Sequence, residues 1–134
     1  MPADEKISLS KVRIENAEEC LNAAKSLYEI GSYKSAANRT YYAVFHSMRA
    51  ILALDGIDMK HHSGIISEFR RLYIKTGVFD TELSTIISAL FDIRTESDYD
   101  DFYVISKQEV KEQLANAELF YSEIKKYLSE LMAE

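Results

Sequence analysis

Residues 35–54, SAANRTYYAVFHSMRAILAL, are apolar on nearly every face, and a helix of that kind has to sit at the centre of its fold with other elements packed around it. One line of four side chains interrupts the apolar surface: Arg39, Tyr42, His46 and Arg49. At about 3.6 residues per turn their spacing keeps them on a single stripe, with Arg39 and His46 two turns apart. An Arg and a His in the middle of a packed helix must meet partners or line a cleft, because an unpaired buried charge is too costly to keep. The stripe is therefore the first candidate site.

The chain supplies the helices that such a centre needs. With only 4 Gly and 1 Pro in 134 residues it is poor in turn formers, which points to long helices joined by short connections. The first helix is expected from about Ser10 to Ile30, with Ala17, Cys20, Leu21, Ala24, Leu27 and Tyr28 at alternating spacings of three and four, and Gly31 just beyond its end. Ser32 can cap the second, which ends near Leu54 before the turn pair Asp55-Gly56. Ser63 can cap a shorter third helix that ends at Gly77, and Asp80 or Thr81 opens a fourth whose apolar pattern dissolves in the acidic segment ESDYDDF. The last helix begins at a capping box, Ser106 with Glu109, and carries an unbroken seam from Val110 to Leu131. That seam suits a coiled coil or an intramolecular bundle, and the four other amphipathic segments favour the bundle. The expected fold is all-α: an up-and-down antiparallel helical bundle of four to five helices. No repeat, linker or low-complexity tract divides the chain, so residues 1–134 are expected to form one domain with its core at about 10–130.

Charge limits the partners. The 16 basic residues against 22 acidic ones give a net charge of −6, the wrong sign for holding nucleic acid by blanket phosphate neutralisation. DNA binding is not expected, and any RNA contact must be local. Lys60, Arg70 and Arg71 cluster, but read as a solvated helix face. The single Cys20 lies on the apolar side of the first helix and reads as a small buried hydrophobe. Adjacent His61 and His62 do not easily face one metal, and Asp98, Asp100 and Asp101 lack the glycine and distal Glu of a calcium loop, so no metal site is expected. A glycine-rich phosphate loop and a nucleophile elbow are both missing from the sequence, and no cofactor is expected. The N-terminus has no leader-like pattern and no stretch has the length of a membrane span, which gives an expectation of a soluble, cytoplasmic protein.

Three segments, AANRTYYAVFHSMRAILAL, then GIDMKHHSGIISEF, then the run from Arg94 to Tyr99 ahead of Asp100, together resemble the HEPN domain superfamily, in particular a small stand-alone prokaryotic branch. The resemblance spans about residues 10 to 130. It implies a helical bundle that commonly forms a homodimer, within a superfamily of RNA-cleaving toxins, RNA-processing domains and inactive relatives. Many small members resemble partners of a minimal nucleotidyltransferase encoded beside them as a toxin–antitoxin pair. Ribonuclease members carry an Arg, four to six residues, then a His late in the domain, where the His works as acid or base and the Arg stabilises phosphate charge. The matching Arg is Arg94. At the position of that His stands Tyr99, whose ordinary pKa of about 10 makes it a poor general base at neutral pH. Arg39 and His46 fit the same spacing but lie on the second helix, so the catalytic role does not transfer to them.

Two functions follow. The leading one is a non-enzymatic binding module, a homodimer that associates with a minimal nucleotidyltransferase, with Tyr99 and Tyr103 among its contacts. The alternative is a metal-independent RNA endonuclease with an altered site at Arg94 and Tyr99, and with Arg39, Tyr42 and His46 as phosphate or RNA contacts. The endonuclease requires Arg39, His46, Arg94 and Tyr99 to converge on one solvent-reachable cleft. The binding module requires Arg39 to be paired with a carboxylate of the fourth helix or of the loop at residues 98–101, and an apolar dimer face. In that case His46 is a satisfied interior histidine, and Arg94 simply pairs with Asp98.

Overall fold

The computed structural model describes residues 3–133 and, among them, contains helices and no strand. α1 (Ala3–Glu29) begins well ahead of Ser10, because Asp4 and Glu5 place acidic groups in its first turn, where the helix dipole favours them. It stops at Gly31, whose φ of +81° provides the left-handed residue that lets the Ser32 N–H return to the Leu27 carbonyl at 2.9 Å. α2 (Tyr33–Leu54) follows after three residues, so the two helices lie antiparallel side by side. Ser32 stands at the N-cap of α2, but its side chain makes no capping bond, in contrast to the expectation.

α3 (His62–Phe69) starts one residue before the Ser63 cap that the sequence suggested, with His61 at the N-cap. It runs into a π-helical turn at Arg70–Ile74, closed by the Lys75 N–H on the Arg70 carbonyl at 2.9 Å. α4 (Thr81–Tyr99) is capped by Asp80, whose carboxylate accepts the Glu82 N–H at 2.9 Å. α5 (Lys107–Met132) is capped by Ser106, which accepts the Glu109 N–H at 3.0 Å. Only half of the expected capping box forms, since the Glu109 carboxylate turns instead toward the Tyr103 hydroxyl.

α2 packs against each of the other four helices, as its composition demands. Ala43, Ala50 and Ala53 on α2 are fully buried, and their small side chains let the neighbouring helices approach closely. Val44, Met48, Ile51 and Leu52 fill the centre with Phe69, Leu90, Phe120 and Ile124 from α3, α4 and α5. The buried hydroxyls of Thr40 and Ser47 donate to carbonyls one turn back, at 2.8 and 2.7 Å, and so add no unpaired donor to the core. A second small cluster, Ala36, Ala37, Ile105 and Val110, seals the end where the α4–α5 loop crosses α2. Cys20 is buried as expected. No helix among the described residues is long and apolar enough to cross a membrane.

Candidate functional site

From residue 39 to residue 53, the only α2 side chains that are not buried are Arg39, Tyr42, His46 and Arg49. The stripe is thus the edge of the central helix that the bundle leaves uncovered. α4 approaches it from one side with Arg94, and the start of α3 brings His62 over it.

These groups meet. Arg94 donates from Nη1 to His62 Nδ1 at 3.2 Å and from Nη2 to the Tyr42 hydroxyl at 3.3 Å, and its guanidinium lies 4.9 Å from the Tyr41 ring centre and 5.5 Å from that of Tyr42. Arg39 lies 5.2 Å from the centre of the same Tyr42 ring, so two guanidiniums share one tyrosine. His62 stacks on Phe45 at 4.1 Å between centroids, and its Nδ1 is also 2.7 Å from the Tyr41 hydroxyl. An arginine can only donate, so His62 Nδ1 is the unprotonated nitrogen and its proton resides on Nε2. His46 completes the group, its ring 5.9 Å from that of Tyr42.

The electrostatics follow from this crowding. Burial, and then the positive charges of Arg49, Arg39 and Arg13, hold the His46 imidazole down to about 4. Burial and then Arg94 pull His62 below its ordinary value as well. Both rings are therefore uncharged at neutral pH. Burial pushes the Tyr41 hydroxyl up to about 12, so it remains a hydrogen-bond donor. The nearest carboxylate is Asp98, 3.5 Å from Arg94 Nε and half-exposed, as the i,i+4 spacing suggested. An open cavity of about 540 Å³ between the start of α2 and the end of α4, lined by Lys34, Asn38, Arg39 and Asp98 among others, gives solvent access to the Arg39 side.

Three expectations change. Arg39 does not pair with an acid of α4 or of the loop at residues 98–101; its guanidinium bonds the Asn38 side-chain oxygen at 2.8 Å. His46 is not a satisfied interior histidine, since its Nδ1 is buried with no hydrogen-bond partner. Tyr99 does not join the cluster: it is 87% exposed at the end of α4, because five positions beyond Arg94 an α-helix has turned to another face. His62 takes the place expected of Tyr99. Sequence reasoning passed over it as one of two adjacent loop histidines, although the signal was present: it opens a helix, where the chain can turn its ring onto α2.

A second polar node lies farther along the stripe. Arg13 of α1, only 5% exposed, bonds Asp58 in the α2–α3 connection at 2.6 Å, and Arg49 reaches the same carboxylate at 3.6 Å. Among the described residues no group of three metal-ligating side chains gathers.

The all-helical bundle is the fold of the HEPN class. The HEPN domain model matches residues 10–127, and the chain belongs to that family. A Methanocaldococcus jannaschii protein bearing the name "Putative toxin MJ0142" is 36% identical over 115 residues, 86% of this chain and 78% of that protein. A Thermotoga maritima "UPF0332 protein" is 35% identical over 115 residues, 86% of this chain and 87% of that one. The crystal structure of an archaeal HEPN homologue superposes with a TM-score of 0.62 at 17% identity, covering 89% of this chain and 97% of the other, which shows the shared fold.

Proposed function

We propose that the protein is a toxin-like HEPN ribonuclease that binds an RNA phosphate between Arg39 and Arg94 and cleaves the strand beside it. The observation that carries this reading is the meeting of Arg94, Arg39, Tyr42, His46 and His62 on one accessible edge with only the half-exposed Asp98 as nearby counter-charge. Two guanidiniums around neutral rings leave local positive charge that an arriving phosphate neutralises. His46, half-buried on that edge and uncharged at neutral pH, is the proton acceptor. It takes the proton of the ribose 2′-hydroxyl as that oxygen attacks phosphorus. The bond to the 5′-oxygen breaks, that oxygen takes up a proton, and the products are a 2′,3′-cyclic phosphate and a 5′-hydroxyl. His62, with its proton on Nε2, donates to a phosphate oxygen, while Arg94 and Arg39 stabilise the charge that develops. The toxin names of relatives support the same reading.

The test is cleavage of end-labelled single-stranded RNA with excess chelator present. Wild type should cleave, His46→Ala and Arg94→Ala should each lose about 10²- to 10⁴-fold, and Tyr99→Phe should retain activity. Cleavage at the wild-type rate by both His46→Ala and Arg94→Ala would overturn the proposal. A second reading, a non-enzymatic module that docks a second copy or a minimal nucleotidyltransferase, is favoured by one observation: Tyr99, Phe102 and Val104, at the end of α4 and in the loop after it, stand 87%, 92% and 82% exposed. Absence of cleavage by the wild type would favour that reading.

A further inference from the structure

A groove of about 470 Å³ runs between α3 with its π turn and α4, within the range of about 300–1,000 Å³ typical of small-molecule sites. It shares walls with the cluster. Ser63 of the groove follows His62 directly, and Phe91, one turn before Arg94, lies 6.3 Å from Tyr41 between ring centres. Its apolar lining is Ile66, Ile87 and Phe91. Its charged lining is Arg70, Lys75 and Asp92.

The π turn explains why two cations face this groove. In an α-helix, at about 100° per residue, positions five apart point to different faces. The turn from Arg70 to Lys75 closes with an i→i+5 bond, which stacks its two ends on one side, and both line the groove. Arg70 is held in place by α4: its Nη2 donates to the Ser84 carbonyl at 3.0 Å and to the Ser88 hydroxyl at 2.6 Å. Its Nε is buried without a partner. On the α4 side the groove carries one carboxylate, Asp92.

We propose that this groove is a nucleobase subsite for guanine, seating the base next to the phosphate held by Arg39 and Arg94. Among the bases, guanine presents two acceptors, O6 and N7, on one edge and N–H donors on another, which matches a guanidinium and a carboxylate lining one groove. The ring lies on Phe91 and the two isoleucines, the remaining Nη1 of Arg70 donates to O6, Asp92 accepts from the ring N–H and the amino group, and Lys75 meets the neighbouring phosphate. The inference deepens the ribonuclease reading and rests on it for the identity of the polymer.

Titration of the intact protein by calorimetry with GMP, AMP, CMP, UMP and inorganic phosphate, up to millimolar concentration, tests it. GMP should bind at least tenfold more tightly than CMP, UMP or phosphate. Asp92→Asn, a change at an exposed position, should abolish the preference for GMP over AMP, and Ser67→Tyr should block the groove and weaken all four nucleotides, each with an unchanged circular dichroism spectrum. Equal affinity for phosphate and GMP, no binding at all, or a guanine preference that survives Asp92→Asn would overturn the proposal. Arg94→Ala should keep GMP binding while losing RNA cleavage. Cleavage without guanine preference sinks the subsite alone, whereas guanine preference in a protein that never cleaves RNA sinks the ribonuclease and leaves the subsite standing.

Discussion

The central helix carries two arginines, ten residues apart on the same stripe, and the fold treats them in opposite ways. Arg49 lies beside the buried Arg13, and the two share the carboxylate of Asp58, which ties the α2–α3 connection to α1 and α2. Arg39 meets a tyrosine ring, an amide oxygen and, across that ring, a second arginine. One node closes on a carboxylate that Arg13 bonds directly at 2.6 Å, and holds a loop. The other keeps its charge and awaits an anion. The difference shows that an arginine on a greasy helix is not by itself a site: what separates the two here is that Arg49 reaches a carboxylate and Arg39 reaches none.

The comparison is broken most directly at Asp58. Asp58→Ala leaves Arg13, almost wholly buried, beside Arg49 with no carboxylate between them. Removing a charge-assisted hydrogen bond of this kind should cost about 2–3 kcal/mol, toward the lower end because Asp58 is half-exposed. Urea unfolding measures it. Because the same connection leads into His62, RNA cleavage should fall together with stability. If Asp58→Ala unfolds like wild type, the node does not hold the loop and the contrast with Arg39 disappears.

Much of this fold was legible because it depended on periodicity. The seam of α5, the Asp80 and Ser106 caps and the stop at Gly31 all follow from local chemistry that tertiary packing reinforces. The stripe was legible for the same reason, since four polar positions on one line of an apolar helix can only be its open edge. Arg94 was found through family resemblance, and the structure brings it to that stripe. What the sequence hid depends on long-range geometry. The ring of His62 reaches α2 only because the connection after Leu54 folds back, anchored by the buried Arg13, for which the spacing of the first helix gave no signal. Tyr99 misled because spacing along a motif does not guarantee the same helical face. The π turn leaves no mark in composition or period at all.

Acid sharpens the comparison, because the two nodes should fail in different pH windows. A free histidine takes up its proton near pH 6.5, whereas the folded protein holds His46 unprotonated down to about 4. On acidification the unfolded chain therefore gains protons first. The contribution is neutral above pH 6.5, and stability declines as the pH falls from there toward 4, with the lowered His62 adding to the same window. Asp58 acts in the same sense but in a lower pH window. The hydrogen bond from Arg13 holds its carboxyl below the ordinary 3.8, so its contribution is full above that value and is lost only in stronger acid. Unfolding curves between pH 7.5 and 4.5 should thus show a slope that His46→Gln reduces and that Asp58→Ala does not alter. An identical slope in His46→Gln would mean that the open node is not the acid-sensitive one.

The smallest stability effect belongs to Arg39, and it discriminates most finely. Its contacts are a ring face and a neighbouring amide, worth about 0.5–1 kcal/mol at an accessible position, so Arg39→Ala should shift stability by no more than that. Its effect on RNA should be large by comparison and of a particular kind. An arginine that meets one phosphate releases about one condensed counterion, so its removal should lower the dependence of RNA affinity on salt by about 0.7 in the logarithmic slope for a single strand. Weakened binding with an unchanged slope would mean that Arg39 shapes Tyr42 rather than meeting phosphate. The contrast between the two arginines would then be one of packing instead of charge.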